Sequence, residues 1–312
     1  MRKKGFRIRP MIVMALLSMQ AMTSCCKCDE QLKKADAPLY QLDTLHILVP
    51  QIPQKVSWCG EELELNNPYV RERFDREIMG CCYSHNGTMQ ILKRAHRYFP
   101  IIEKILKEEG MPDDLKYLAA IESNLNPVAY SPAKAAGLWQ MIPEAAKEYG
   151  LQVDSDVDER YNIEKETRAA CKYMRKSYEA LGRWDMSAAS YNAGQGRLVK
   201  KKKEQLAETF YDMNLPEETN RYVFRILAMK TLMENPEAYG FQLREDQLYP
   251  TPKVDTVVVD STIQDLAAWA KEFGLSYRLL KEENFWLRTN TLPNPKRKPY
   301  VIRLACEGRK DN

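Results

Sequence analysis

Apolar residues recur at helical spacing through the middle of the chain. From Thr88 onward, Met89, Ile91, Leu92, Ala95, Tyr98 and Phe99, followed by Ile102, Ile105 and Leu106, predict a helix that stops at Gly110. The next begins at Pro112, whose fixed φ suits a first turn. Asp113 and Asp114 complement its positive end, and Leu115, Leu118, Ala119 and Glu122 follow in register. Further helices are predicted near 162–181, 185–191 and 216–233. Past residue 240 the pattern changes. The β-branched run Val254–Val259 and the segment Tyr300–Leu304 predict strands, with helical patterns over 263–273 and 276–283 between them. The expectation is a mainly α chain closed by a small α+β domain of order βααβ.

The first residues obey a different logic. Arg2, Lys3, Lys4, Arg7 and Arg9 precede an apolar stretch, Ile12–Met22, that is too short to span a bilayer, and Thr23-Ser24-Cys25 comes next. This predicts a secretory signal over 1–24. A cysteine directly after small residues resembles a bacterial lipoprotein processing site, which implies lipidation of Cys25; ordinary signal cleavage with Cys25, Cys26 and Cys28 as incidental thiols is the other reading. Several acyl chains anchor a protein stably where one does not. With no aspartate after Cys25, the sorting rule for such lipoproteins points to the outer membrane, facing the periplasm. A polar tether over 25–50 would come next.

Composition excludes more than it selects. The 47 basic and 43 acidic residues leave a net charge of +4, too slight and too interspersed for nucleic-acid binding. Cys59, Cys81, Cys82, Cys171 and Cys306 remain in the body of the chain, and in an exported protein Cys59 can pair with Cys81 or Cys82. Cys171 lies in an apolar helical stretch and reads as a small core residue. No paired Cys-x-x-Cys or cluster of histidines suggests a metal site, since His46, His85 and His96 are scattered.

Glu122 is the candidate for chemistry. Leu118 and Leu125 flank it on its own helix face, and a carboxyl group held against apolar neighbours loses hydration of its charged form, so its pKa rises and it can carry a proton at neutral pH. From the helix alone, a solvated helix-end glutamate is the better reading. The residues downstream of Glu122 reverse that preference. Ser123-Asn124-Leu125-Asn126-Pro127 leads into Ser131-Pro132 and then Gly137-Leu138-Trp139-Gln140, a loop of small residues that lets backbone approach a ligand, and Ser190-Tyr191-Asn192-Ala193-Gly194 closes a later helix.

These three blocks, in this order and spacing, resemble the lytic transglycosylases that cleave peptidoglycan, in particular the membrane-bound lytic transglycosylase D group. The resemblance implies a lysozyme-like helical domain over 51–240, with its motif core at 88–215, in which Glu122 is the only catalytic carboxylate. It also implies that Ser131, Gln140, Tyr191 and Asn192 line the sugar groove, with Ser123 beside the acid either at the groove or capping the helix end. Ser190, in place of the usual alanine, and Met141-Ile142 depart from the family pattern and bear on groove shape.

The implied reaction is cleavage between N-acetylmuramic acid and N-acetylglucosamine. One carboxyl protonates the glycosidic oxygen, the substrate's acetamido group stabilises the positive centre, and the same carboxyl then deprotonates the C6 hydroxyl to close a 1,6-anhydro ring. No metal or cofactor is needed. A hydrolytic muramidase, the alternative, calls for a second carboxylate; Asp113 and Asp114 lie roughly 12 Å or more along the helix, and Glu144 after Pro143 reads as a first-turn residue. A noncatalytic wall-binding lipoprotein is the third reading. The tail, 241–312, resembles a LysM module, a fold that binds N-acetylglucosamine-containing chains, although the usual glycine-rich opening turn is missing at Asp260-Ser261-Thr262. In it, Trp269 and Trp286 would either stack on sugars or pack in the core.

Overall fold

The computed structural model describes residues 49–309. The signal segment, Cys25 and most of the tether lie outside the described residues. A short hairpin comes first, β1 (Lys55–Trp58) and β2 (Glu61–Glu64), antiparallel with Lys55 opposite Glu64. Its two-residue turn, Cys59-Gly60, has φ of 51° and 79°, the left-handed pair that matches the twist of the flanking strands. The alternating pattern buries Val56 and Trp58 on one face. Helix α1 (Pro68–Tyr83) starts where Asn67 accepts hydrogen bonds from the amides of Tyr69 and Val70 and Pro68 fills the first turn. Neither the hairpin nor α1 stands out in the sequence.

The long amphipathic α2 (His85–Glu108) carries Ile91, Leu92, Ala95, Tyr98, Ile102, Ile105 and Leu106 inward, the stripe the periodicity predicts. A 3₁₀ turn at Asp113–Leu115 then feeds α3 (Lys116–Ser123). The remaining helices of this region are α4 (Pro143–Glu148), α5 (Ile163–Leu181), α6 (Trp184–Ala193), α7 (Gln195–Gln205) and α8 (Glu217–Glu234). Helix α8 runs through the middle, packing on α1, α3 and α6, while α5 packs on α2 and α6. The shared core includes Phe74, Leu118, Leu125, Trp139, Phe210 and Phe224, all without exposed surface. Burial on this scale is the main term holding the helices together, at roughly 25 cal/mol for each Å² of apolar surface removed from water.

The tail folds as β3 (Val254–Val259), α9 (Leu266–Glu272), α10 (Tyr277–Glu283) and β4 (Tyr300–Ala305), with β3 and β4 antiparallel and Val254 opposite Ala305. Asp265 and Ser276 cap the two helices by accepting backbone N–H groups. Asn284 is fully buried; its amide donates to the carbonyls of Leu280 and Arg303 and accepts from the Arg303 N–H, tying α10 to β4. Mainly helical, then βααβ, is the architecture the sequence predicts.

The two parts share a seam. Val157 and Tyr161 of the helical part join the core of the tail, with Leu287 and Ile302. Asp158 N–H donates to the Trp286 carbonyl at 2.9 Å, Arg288 N–H to the Asp156 carbonyl at 2.8 Å, and the Tyr300 hydroxyl to Gln152 Oε1 at 2.9 Å. Lys298 Nζ reaches both Gln152 and Glu159.

The cysteines depart from expectation. Cys59, Cys81, Cys82, Cys171 and Cys306 are all free thiols. Cys59 sits in the β1–β2 turn, where its amide is committed to Asp114, and burial pushes the Cys81 thiol up to about 12 and Cys82 to about 11. Burial likewise raises Cys171, in the core as expected, to about 12. Trp286 is buried and stacks on Tyr300 at 5.5 Å, the packing alternative, whereas Trp269 is partly exposed and packs on Phe273 at 4.6 Å.

Candidate active site

Helix α3 is pinned at its start. The Trp58 indole donates to the Asp114 carbonyl at 3.0 Å and the Cys59 amide to Asp114 Oδ2 at 2.8 Å, so the hairpin fixes where the helix begins. Its end is set by strain. Asn124 and Leu125 both have φ of 52°. Asparagine tolerates that conformation, whereas leucine gives up about 1–2 kcal/mol to adopt it. Leu125 is fully buried, and that burial offsets the strain. The break leaves Glu122, the penultimate helical residue, at the edge of the core.

Glu122 is partly exposed. Its neighbours Leu118 and Leu125 are fully buried, and desolvation raises its carboxyl from 4.5 to about 7. Three weaker influences act on it. The Tyr222 hydroxyl donates to Oε1 and favours the ionised form, as does the charge of Arg225, while the charge of Glu218 opposes it. Tyr222 is 2% exposed on α8. Its periodicity predicts a core position, and it is there, but it also meets the acid.

The loop after α3 is held from below by a second glutamate. Glu166, fully buried on α5, accepts the amides of Leu138 (3.1 Å) and Trp139 (3.2 Å), and desolvation pushes its carboxyl well above the usual range. Gly137 is required here: its φ is +82°, and a Cβ would lie 1.8 Å from the Arg160 carbonyl oxygen and 2.3 Å from Glu166 Oε2. Arg160, also buried, donates to the carbonyls of Lys134 (2.6 Å) and Met141 (3.1 Å) and forms a two-pronged pair with Asp158 (2.9 and 2.7 Å). The loop therefore hangs on Arg160, Arg160 on Asp158, and the Asp158 backbone on Trp286 of the tail.

The predicted groove residues divide by what their polar groups do. Gln140, at φ of 49°, donates its side-chain amide to the carbonyls of Gly137 (2.9 Å) and Ala129 (3.2 Å). Ser131 Oγ accepts the Ala135 amide at 3.1 Å and braces the same loop. The Tyr191 hydroxyl donates to the Trp139 carbonyl at 2.7 Å, its ring sits 5.0 Å from Tyr173, and burial together with the facing Glu122 pushes its hydroxyl well above the usual range. Asn192 is fixed by α8, donating to Glu218 at 3.3 Å and accepting from the Thr219 hydroxyl at 2.8 Å. All four are partly exposed. Ser123 is turned inward, 9% exposed, and donates to the Ala119 carbonyl at 3.2 Å.

Glu166, Arg160 and Tyr222 carry no sequence signal of their role. Glu166 reads as a first-turn acid, Arg160 as an isolated charge, and Tyr222 as one position of an apolar stripe. Only contacts across tens of residues reveal them.

Known families match in two segments. Residues 99–214 match the transglycosylase SLT domain, and residues 255–308 the C-terminal LysM-like domain of soluble lytic transglycosylase. The membrane-bound lytic murein transglycosylase D of Escherichia coli is 30% identical over 247 residues, 76% of this chain and 52% of that protein. The membrane-bound lytic murein transglycosylase C of Pectobacterium atrosepticum is 27% identical over 99 residues, 30% of this chain and 28% of that protein. The solved 70-kDa soluble lytic transglycosylase of Escherichia coli superposes on 45% of this chain and 24% of that one, at 22% identity and a TM-score of 0.38. The chain spans about half the length of the transglycosylase D relative. Residues 99–214 thus form a transglycosylase SLT domain, and residues 255–308 a LysM-like domain.

Proposed function

We propose that this protein is a peptidoglycan lytic transglycosylase, cleaving between N-acetylmuramic acid and N-acetylglucosamine with Glu122 as its single catalytic carboxyl and leaving a 1,6-anhydro end. The observation that carries this reading is a carboxyl raised to about 7 by desolvation yet still partly open to solvent. Near neutral pH such a group exists in both forms. Protonated, it gives its proton to the glycosidic oxygen; ionised, it takes one from the C6 hydroxyl. The hydroxyl of Tyr222 occupies Oε1, which leaves Oε2 for the substrate. The acetamido group of the substrate stabilises the positive centre, and internal attack by a held hydroxyl is worth several kcal/mol of barrier relative to a captured water. Gln140 and Asn192, with rotamers fixed by Gly137 and Thr219, would present their remaining polar valences to sugar hydroxyls beside Tyr191, on a loop braced by Ser131. Ser123 would support the helix end. The names of the two relatives, both murein transglycosylases, agree with this substrate.

A hydrolytic muramidase is the second reading, favoured by Glu218, an exposed carboxylate whose charge reaches Glu122. Digestion of purified sacculi followed by mass spectrometry separates the two. The transglycosylase yields ends one water lighter than the hydrolase, and Glu122→Gln abolishes them; reducing ends of full mass would overturn the proposal. A noncatalytic wall-binding lipoprotein predicts no products from either form.

The same reading places the protein in the bacterial cell envelope, held by a lipidated Cys25 at the outer membrane and facing the periplasm. Among the described residues no helix is long and apolar enough to cross a membrane, and the transglycosylase D relative is named as membrane-bound. Labelled palmitate should enter the wild type and not Cys25→Ala.

A further inference from the structure

Helix α8 presents three ionisable side chains in a single row. Glu218, Tyr222 and Arg225 stand at i, i+4 and i+7, one face of the helix. The middle one is fixed by the bond from its hydroxyl to Glu122. At about 1.5 Å of rise per residue, Glu218 lies roughly 6 Å before Tyr222 along the axis and Arg225 roughly 4.5 Å beyond it. Glu122 therefore faces the middle of a row that is negative at one end and positive at the other.

Arg225 differs from the arginines around it. Arg221, on the same helix, is bound two-pronged by Glu77 at 2.7 and 3.1 Å, and Arg73 donates to the Asn220 carbonyl and lies over the Phe224 ring at 4.5 Å. Arg225 is partly buried, yet among the described residues its guanidinium makes no hydrogen bond and no ion pair. Its charge acts on groups of two other helices, Glu122 of α3 and the Cys81 thiol of α1. Besides the row on α8, Tyr191 of α6 faces Glu122, and its hydroxyl is committed to the Trp139 carbonyl.

Drawing a guanidinium partly out of water without a partner costs free energy. A positive charge in that place serves a carboxyl that has to lose its proton. In the proposed reaction the proton of Glu122 passes to the glycosidic oxygen as the bond from C1 to that oxygen breaks and the acetamido oxygen bonds to C1. The carboxylate then takes the proton of the C6 hydroxyl as O6 displaces the acetamido oxygen, so the acid is charged once in each turnover. Desolvation resists that charged state, and a nearby cation supports it. We propose that Arg225 is a positioning residue of this reaction that acts through Glu122, holding an unmatched positive charge near the carboxylate formed when the acid gives up its proton. The inference rests on the glycan-cleaving reading for the step it serves, but the charge pairing is measurable without turnover.

The test uses the full-length protein carrying carbon-13-labelled glutamate. The Glu122 carboxyl, assigned by its loss from the spectrum of Glu122→Gln, is titrated without substrate, beside pH–rate profiles on sacculi. In Arg225→Gln the carboxyl should titrate about one pH unit higher than in the wild type, and the alkaline limb of kcat should move up with it. At pH 6, kcat should fall about tenfold while KM stays within about twofold. Arg225→Met, whose unbranched chain keeps the packing of the stem, should behave the same way. Arg225→Lys keeps the charge and should hold both the titration and kcat near wild-type values. When Arg225→Gln is combined with Glu218→Gln, the opposing shifts should nearly cancel.

A Glu122 titration that is the same in the wild type and both neutral variants overturns the inference. So does a raised KM with unchanged kcat, which would make Arg225 a contact for the sugar, and so does failure of lysine to restore the titration. If the titration shifts as expected but sacculi give no anhydro ends, the charge pairing stands and the proposed activity falls. If anhydro ends form and the titration does not move, the activity stands and this inference falls.

Discussion

The Tyr222 hydroxyl donates to Oε1 of Glu122, joining two residues 100 positions apart. The bond favours the ionised carboxyl, against the larger effect of desolvation. It therefore fixes the rotamer of the acid and lowers the pH at which it titrates below where desolvation alone would put it.

Tyr222→Phe removes the donor and keeps the ring that fills the core. The carboxyl of Glu122 should rise further, so the alkaline limb of kcat should move to higher pH, while the fixed orientation of the acid is lost and kcat falls, by up to about tenfold. Stability should drop by about 1–2 kcal/mol, as for a lost buried hydrogen bond. A pH–rate profile on sacculi beside a denaturant titration checks both. An unchanged limb would mean the hydroxyl does not act on the acid.

Glu122 should be a liability to the fold when ionised. Its folded pKa of about 7 stands above an ordinary 4.5, so the stabilisation that goes with the protonated form is fully present below pH 4.5 and lost as pH rises through 7. The full shift corresponds to something on the order of 3 kcal/mol. Glu122→Gln has no charge to desolvate, and Tyr222 can still donate to its amide oxygen. The variant should be inactive, about equal to the wild type in melting temperature at pH 4.5, and clearly more stable at pH 8. Thermal melts at the two pH values measure the difference.

Glu218 separates one-carboxyl from two-carboxyl chemistry. Its charge raises the pKa of Glu122 and its carboxylate accepts from Asn192. In Glu218→Gln the alkaline limb should shift to lower pH, and turnover at pH 6 should stay within about threefold of the wild type. A second catalytic carboxylate would instead cost about a hundredfold or more when neutralised. Product analysis of this variant at pH 6 reads the result directly.

The sequence makes the helical stripe of α2, the turn before α3 and the βααβ order of the tail legible, because each arises from local periodicity and capping. It does not announce the β1–β2 hairpin: the strands are four residues long and the turn is Cys59-Gly60, without the asparagine or aspartate that marks such turns. The candidate site divides the same way. Glu122, Gln140, Tyr191 and Asn192 lie in contiguous motifs. Glu166 and Arg160, which hold the loop in place, are separated from the loop residues they support by about 20 to 30 positions. Nothing local distinguishes a glutamate that receives two backbone amides from one that faces water.

Arg160 links the LysM-like domain to the loop that carries Gln140. Its guanidinium spans the carbonyls of Lys134 and Met141 and the Asp158 carboxylate, and the Asp158 amide is held by the Trp286 carbonyl across the seam. A lysine retains the charge but cannot make the planar two-pronged contact and reach both carbonyls. Arg160→Lys should therefore keep the fold while loosening the loop that carries Gln140, with kcat/KM lower by about tenfold to a hundredfold. Arg160→Ala leaves Asp158 an uncompensated buried carboxylate and should cost about 3–5 kcal/mol of stability. If Arg160→Lys turns over sacculi at the wild-type rate, the loop does not depend on this contact, and the tail's hold on Asp158 has no bearing on catalysis.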